Sequence, residues 1–351
     1  MKTFKFSIFL LLVLFSCCNS PQNLVFYGKT IMVDYPTQIT SLKGRPVILE
    51  DIYTGMMFAY DGLLVFHWNT LPDGRLYLFD AETGVRINAV GQIGQGPDDF
   101  INPHFLGDFE KYSNEIYLWV NDISRNVIVK LNMRGERVKE INTAQFRSTN
   151  WYGVGRFNVL NDSLLLAEIS PVMIFENKFT ASGEHVFDYR IGKTVKSHMA
   201  YSEFYEPNAV GLFPGIGAYL TGAREIKPNR TKLATVKYFL KRVDILDIQT
   251  GKWKSITTKH TPDLNYILSN KPIRMYYRSL QIDDHYIFVD RGTWETPAGL
   301  IYVFDWDGNF KHILRIDKNY VVFAFDPVRK KLYTKTDCEQ ITAYDLNFLY
   351  Q

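Results

Sequence analysis

Five times along this chain an apolar run is followed by a turn glycine and then by a second strand-like run. The clearest copy is Arg75-Leu76-Tyr77-Leu78-Phe79-Asp80, then Ala81-Glu82-Thr83-Gly84, then Val85-Arg86-Ile87. Its glycine supplies the positive φ that a tight hairpin needs. Further copies are residues 127–132 before Gly135, 172–175 before Gly183, 243–247 before Gly251 and 300–305 before Gly308, and a sixth, 340–345, stops at the C-terminus. Upstream of most copies lies another strand pair with an Asp or Asn turn: 58–62 into 63–66, 157–162 into 164–166, 280–284 into 286–288, and 323–327 into 332–333. Helical periodicity is almost absent. Six units of four strands without intervening helices predict an all-β chain folded as a six-bladed β-propeller, four antiparallel strands per blade. A different parsing of residues 192–240 gives five or seven blades.

The last unit lacks its outer strand, and the chain has a strand to spare near its start, in residues 30–35 or 38–42. One of these N-terminal strands is expected to close the ring, which satisfies open backbone groups and hides an edge. With 46% hydrophobic and 22% charged residues, the chain has the composition for one large core.

The first residues give an address. Lys2 and Lys5 precede an apolar run over 6–16, long enough for an export signal and too short to cross a bilayer as a helix. Leu14-Phe15-Ser16-Cys17 then resembles the bacterial lipobox, which implies cleavage before Cys17 and lipid on its thiol. Cleavage before Cys18 would put Phe15 at the aliphatic position and Cys17 at the small one, a poorer match. The expected organisation is a lipoprotein signal peptide over 1–16, a lipidated linker over 17–27 and the propeller over 28–351. No later segment has about 18 consecutive apolar residues, so attachment rests on acyl chains, each buried CH₂ contributing about 0.8 kcal/mol. Residues 18–23 hold no acidic cluster, which favours an outer-membrane, periplasm-facing protein over a surface-exposed one. Cys338 is the one cysteine left in the body of the chain, so no internal disulfide is expected, and it reads as a small buried or half-buried residue.

Gly91-Gln92-Ile93-Gly94-Gln95-Gly96-Pro97-Asp98-Asp99-Phe100-Ile101-Asn102-Pro103, with the strands at 115–122 and 127–132 after it, resembles an NHL repeat, with Asp98-Asp99 replacing the usual small residues. The match covers one repeat of about 50 residues. Together with the lipobox it is similar to the TolB-like or NHL-like six-bladed propeller lipoproteins of Gram-negative bacteria. That resemblance implies a fold and little function. The glycines are expected to permit the sharp path from one blade to the next.

Several chemistries fail against the residues. Gly94-Gln95-Gly96 lacks the third glycine and the βαβ setting of a dinucleotide site, and Gly28-Lys29-Thr30 and Gly192-Lys193-Thr194 lack the first glycine of a phosphate loop. The seven histidines show no HExxH spacing and no G-x-S-x-G elbow occurs, so no metal, cofactor or catalytic residue is assigned. Asp305-Trp306-Asp307-Gly308-Asn309 reads as a hairpin turn rather than a calcium loop, and Asp98-Asp99 and Asp283-Asp284 as turn carboxylates. Forty Lys and Arg against 37 Asp and Glu give +3, falling to about +1 without Lys2 and Lys5, so nucleic acid is not an expected partner.

Geometry supplies the functional candidates. Inner strands of a propeller begin at the central channel, and the positions opening them are Met57, His104, Arg156, Ser279 and Val322. His104 and Arg156 are the polar ones, with Arg156 suited to a carboxylate or sulfate. Trp68, Trp151, Tyr152 and Trp294 are candidate stacking platforms for sugars. The turn glycines are 51, 48, 68 and 57 residues apart, so the fourth unit is expected to carry an elaborated loop. Its part from 222 to 242 holds Arg224, Lys227, Arg230, Lys232, Lys237, Lys241 and Arg242 against Glu225, which reads first as a solvated basic loop and second as a patch for anionic glycan or lipid head groups. The expected function is a lipid-anchored envelope binding or scaffold module for a glycan, peptide or protein. The alternative is a channel-mouth hydrolase, lactonase or lyase acting on a carbohydrate-like substrate.

Overall fold

The computed structural model describes residues 24–51, 55–67, 76–96, 98–149, 154–169, 173–175, 178–205, 220, 222–261, 263, 264, 266, 275–292 and 299–351. Cys17, Cys18 and the tryptophan and tyrosine platforms Trp68, Trp151, Tyr152 and Trp294 lie outside them. The strands form a six-bladed β-propeller, blades I to VI in chain order. Blade I is Met56–Tyr60, Leu63–His67, Leu76–Asp80 and Arg86–Val90; blade II is Pro103–Tyr112, Glu115–Asp122, Val127–Asn132 and Arg137–Asn142. Blade III is Val154–Val159, Leu164–Ile169, Ser182–Asp188 and Lys193–Tyr201; blade IV is Gly222–Ile226, Lys232–Lys237, Arg242–Asp247 and Trp253–Thr258. Blade V is Ser279–Ile282, Tyr286–Arg291, Leu300–Asp305 and Phe310–Ile316, and blade VI is Val322–Asp326, Lys331–Lys335, Ile341–Asp345 and Arg45–Val47.

The apolar runs follow from this stacking. In Leu63–His67 all five residues are buried, because both faces of the strand meet a neighbouring blade. Leu63 and Val65 pack with Leu118 and Val120 of blade II, while Leu64 and Phe66 pack with Ala324 and Tyr333 of blade VI. The period-two alternation of a strand thus feeds two cores at once. Six such clusters occur among the described residues, one at each junction between blades.

The Asp or Asn that ends each third strand caps the turn after it. Asp80 Oδ1 accepts from the amides of Glu82 and Thr83 at 3.0 and 2.7 Å. Asn132, Asp188, Asp247, Asp305 and Asp345 accept in the same way from amides two to four residues on. The Asp305 segment is accordingly a hairpin turn. Such turns are the source of the repeat in the sequence.

Three expectations need correction. The ring is closed by an N-terminal strand, but by Arg45–Val47, antiparallel to Ile341–Asp345. The two segments expected to supply it instead add parallel fifth strands, Lys29–Val33 on blade IV and Ile39–Leu42 on blade V. Pro46 disguises the closing strand, since proline argues against a central strand yet removes no ladder bond from an edge. Second, residues 172–175 are not the third strand of blade III: Met173–Phe175 belongs to a small satellite sheet, and Gly183 lies inside the true third strand. The turn glycine of that blade is Gly192, at φ +65°, and with it the spacings become 51, 57, 59 and 57, which removes the elaborated fourth unit. Third, Cys338 is exposed, and Asp337 raises its thiol pKa.

Residues 24–27, within the segment expected as linker, are packed. Leu24 is buried, the Tyr27 amide bonds the Ala200 carbonyl at 2.9 Å and the Val25 amide bonds Ser202 Oγ at 3.0 Å. Of the glycine string, Gly91 has a positive φ of 78°, as a blade crossing requires. Gly94 and Gly96 serve a different need: a Cβ at either would press on the Asp99 carboxylate, which accepts the Gly96 amide at 2.7 Å. No helix among the described residues is long and apolar enough to cross a membrane.

Candidate functional site

The first strand of each blade lines a central channel, entered from the end where those strands begin, here the upper mouth, and from the end where they finish, the lower mouth. The upper cavity measures about 320 Å³ and the lower about 460 Å³. Phe58, Asn158, Glu225 and Gln281 line both and form the waist.

Met57, His104, Arg156, Ser279 and Val322, the positions singled out as opening the inner strands, all line the upper cavity. Met56, Phe58, Leu106, Val321 and Val322 give it accessible apolar surface, whereas Phe105, Phe157, Leu280 and Phe323 are buried in the junctions between blades. His104 meets the buried His67 edge-on, ring centroids 5.9 Å apart. Burial, and then the Arg156 guanidinium, lower its pKa, so His104 is neutral at pH 7. Burial, reinforced by His104, pushes His67 down to about 4, with the Pro103 carbonyl pulling weakly the other way. Neither His67 ring nitrogen completes a hydrogen bond among the described residues.

Three arginines reach the upper cavity, and two are spoken for. Arg224 Nη2 donates to Glu184 at 2.8 Å, both side chains being almost fully buried, and Arg278 donates to Asp290 at 2.9 Å. Arg156 is exposed to the cavity, and no carboxylate pairs with its guanidinium among the described residues. Three cations reach the lower cavity, all paired: Lys111 to Asp61 at 2.5 Å, Lys130 to Glu110 at 2.5 Å, and Arg230 to both oxygens of Asp108 at 2.7 and 2.6 Å. The last pair joins blade IV to blade II past the intervening blade III. Tyr60 stacks on Phe109 at the same mouth, centroids 5.1 Å apart.

The sequence reading missed Glu225. It took 222–242 for a solvated basic loop, whereas the structure makes this segment the two inner strands of blade IV and the start of the third. The cations there hold the fold together instead of forming a patch: Arg224 binds Glu184, Arg230 binds Asp108, Arg242 binds Ser255 at 2.7 Å and is buried, and Lys241 lies over Tyr35 and Tyr276. A signal was present, since Lys227-Pro228-Asn229-Arg230 is another Asn turn between two apolar-alternating runs.

Glu225 makes no hydrogen bond or ion pair among the described residues. Its carboxyl is accessible from the channel but surrounded by protein, and burial pushes its pKa up to about 8. Arg156 opposes that rise most, Asp108 adds to it, and Arg224 and Arg230 oppose it. Beside it Asn158 is 5% exposed, with Oδ1 unpartnered. Gln281, by contrast, is locked, donating to the Leu280 carbonyl and accepting the Phe325 amide. Among the described residues no group of three or more His, Cys, Asp or Glu is placed to hold a metal ion.

The fold is shared with known structures. The chain is similar to a Bacteroides fragilis protein described as a "putative exported protein", at 14% identity and a TM-score of 0.58, over 90% of this chain and 99% of that one. It is also similar to a member of the DUF4221 family from Bacteroides vulgatus, at 13% identity and a TM-score of 0.56, over 92% and 98% of the two chains. At such identities the likeness is one of fold. No protein-family model matches the sequence, and no curated protein matches it.

Proposed function

We propose that this chain is an exported, lipid-anchored binding protein that takes a small acidic ligand into the upper half of its channel. The observation that carries the reading is Arg156: of the six Lys and Arg side chains lining the channel, it is the one with no carboxylate partner among the described residues. A guanidinium kept unpaired at the mouth of an apolar-walled cavity suits a carboxylate or sulfate, which it can hold through two parallel hydrogen bonds. His104, neutral beside it, adds a donor or acceptor without adding charge.

The envelope location is supported by the apolar run over 6–16, by Leu14-Phe15-Ser16-Cys17 and by the name given to the Bacteroides fragilis neighbour. In this reading Cys17 carries the lipid, and the outer membrane, periplasmic side, is the site of attachment. The glycine string over 91–103 supports kinship with TolB-like or NHL-like lipoproteins. Binding is favoured over carbohydrate hydrolysis by the state of the carboxylates. Glu225 is free, but Asp108 is tied to Arg230, leaving Glu225 without the second free acid that glycoside hydrolysis uses.

Thermal shift with glucuronate, galacturonate, 3-phenylpropionate and phenylalanine, on wild type and Arg156→Ala, tests the proposal. At least one carboxylate should raise the wild-type Tm and fail to raise that of the variant. Equal shifts in both proteins, or none in either, would remove the upper channel as the binding site.

A further inference from the structure

The waist holds a carboxyl that nothing among the described residues pairs with. Glu225 lines the waist with its carboxyl unpartnered among the described residues, whereas the Oδ1 of Asn158 beside it is closed off from the channel. A half-buried carboxyl is costly to ionise with no donor or cation on it, so a fold that keeps one unpaired against a channel leaves room for a donor from outside. Above it stands Arg156, a donor with nothing to donate to. Arg156 and Glu225 feel each other's charge, yet no ion pair joins them. Among the described residues the other Lys and Arg side chains lining the channel are each paired with a carboxylate.

We propose that the ligand is a small zwitterion, an amino acid or a short peptide, whose ammonium group sits on Glu225 and whose carboxylate sits on Arg156. An ammonium brings three N–H donors and the opposite charge to the Glu225 carboxylate, and a carboxylate matches the guanidinium fork. The accessible apolar surface of Met56, Phe58, Leu106 and Val322 suits an apolar side chain. This inference rests on the binding role proposed above and adds the second charge.

The ionisation of Glu225 supports it with a distinctive signature. The charged groups facing it are Arg156 from blade III, Asp108 from blade II, and Arg224 and Arg230 from blade IV; blades I, V and VI face the channel there with the uncharged Phe58, Gln281 and Phe325. At pH 7 the free protein keeps Glu225 protonated, whereas an ammonium requires the carboxylate. Binding therefore expels a proton, and affinity rises with pH up to about 8, where Glu225 ionises unaided.

Calorimetric titration of the full chain with four probes decides the matter: phenylalanine, phenethylamine, 3-phenylpropionate and the dipeptide alanylphenylalanine. Phenylalanine or the dipeptide should bind at least tenfold more tightly than the amine or the acid, and the tighter of the two identifies a free amino acid or a peptide as the source. Binding at pH 7 should release close to one proton, read from buffers of different ionisation enthalpy, and Glu225→Gln should lose at least tenfold together with the proton release. If 3-phenylpropionate binds as tightly as phenylalanine and Arg156→Ala abolishes both, the zwitterion inference falls while the acidic-ligand role stands. If none of the four binds but a uronate does, the inference likewise falls alone. If neither these probes nor any carboxylate of the thermal-shift panel binds, both fall.

Discussion

At the lower mouth of the channel Lys111, Lys130 and Arg230 each meet a carboxylate within 2.5–2.6 Å, whereas among the described residues Arg156 at the upper mouth meets none and Glu225 below it is equally alone. The same inner strands build both ends, so the contrast is one of side chains. Closed pairs hold blades together, as Arg230–Asp108 does across blade III. Unpaired ionisable groups contribute nothing to that task and are costly to charge where water is scarce. The comparison separates groups that serve the fold from groups kept for something else.

Substitutions that leave one member of a closed pair bare should show the largest effect. Asp108→Ala strands the mostly buried Arg230 and is expected to cost about 3 kcal/mol, or roughly 6 °C in Tm. A loss below 1 °C by calorimetry would show that the lower-mouth pair is not structural and would blur the distinction between the two ends.

How far the sequence already displayed this architecture follows from the same division. The blades were legible because their signals are local: period-two apolar runs, and an Asp or Asn capping each third strand, as at Asp80, Asp247 and Asp305. The positions opening the inner strands were legible for the same reason, and His104 and Arg156 do line the upper cavity. Arg45–Val47 escaped because an edge strand tolerates Pro46, and blade III was misread because Gly183 mimics a turn glycine inside a strand. Glu225 escaped because its neighbours are Arg and Lys. Counted along the chain they form a basic loop, yet their partners Glu184 and Asp108 come from other blades. Charge pairing across blades is a tertiary fact that no local window contains.

Glu225→Gln should give the next largest effect, with a sign set by pH. The folded carboxyl is held near 8 against an ordinary 4.5, so its contribution to stability is full below pH 4.5 and is lost as pH rises through 8. Gln cannot ionise. The variant should match wild type at pH 5 and exceed its Tm by about 4 °C at pH 9, on the order of 2 kcal/mol. A Tm difference that stays flat between pH 5 and 9 would mean that Glu225 is solvated or paired.

His67 supplies the opposite slope. Its pKa is pushed from 6.5 to about 4, so its contribution is full above pH 6.5 and is lost as pH falls through 4. Since neither ring nitrogen completes a hydrogen bond among the described residues, His67→Phe should gain about 1 kcal/mol at pH 4.5 relative to its effect at pH 8, seen as a raised urea midpoint in acid. An equal change at both pH values would place a charged or hydrogen-bonded imidazole there. Smallest of all, Arg156→Ala should leave the ligand-free Tm within about 1 °C, since nothing in the fold depends on it. A drop of several degrees would assign Arg156 to the structural set.

The most direct test titrates the strongest carboxylate of the thermal-shift panel into wild type, Arg156→Ala and Lys111→Ala. Both substitutions remove one cation from the same channel, one from each mouth. The account predicts at least a tenfold loss of affinity in Arg156→Ala and wild-type affinity in Lys111→Ala. Equal losses in the two, or the larger loss in Lys111→Ala, would contradict it.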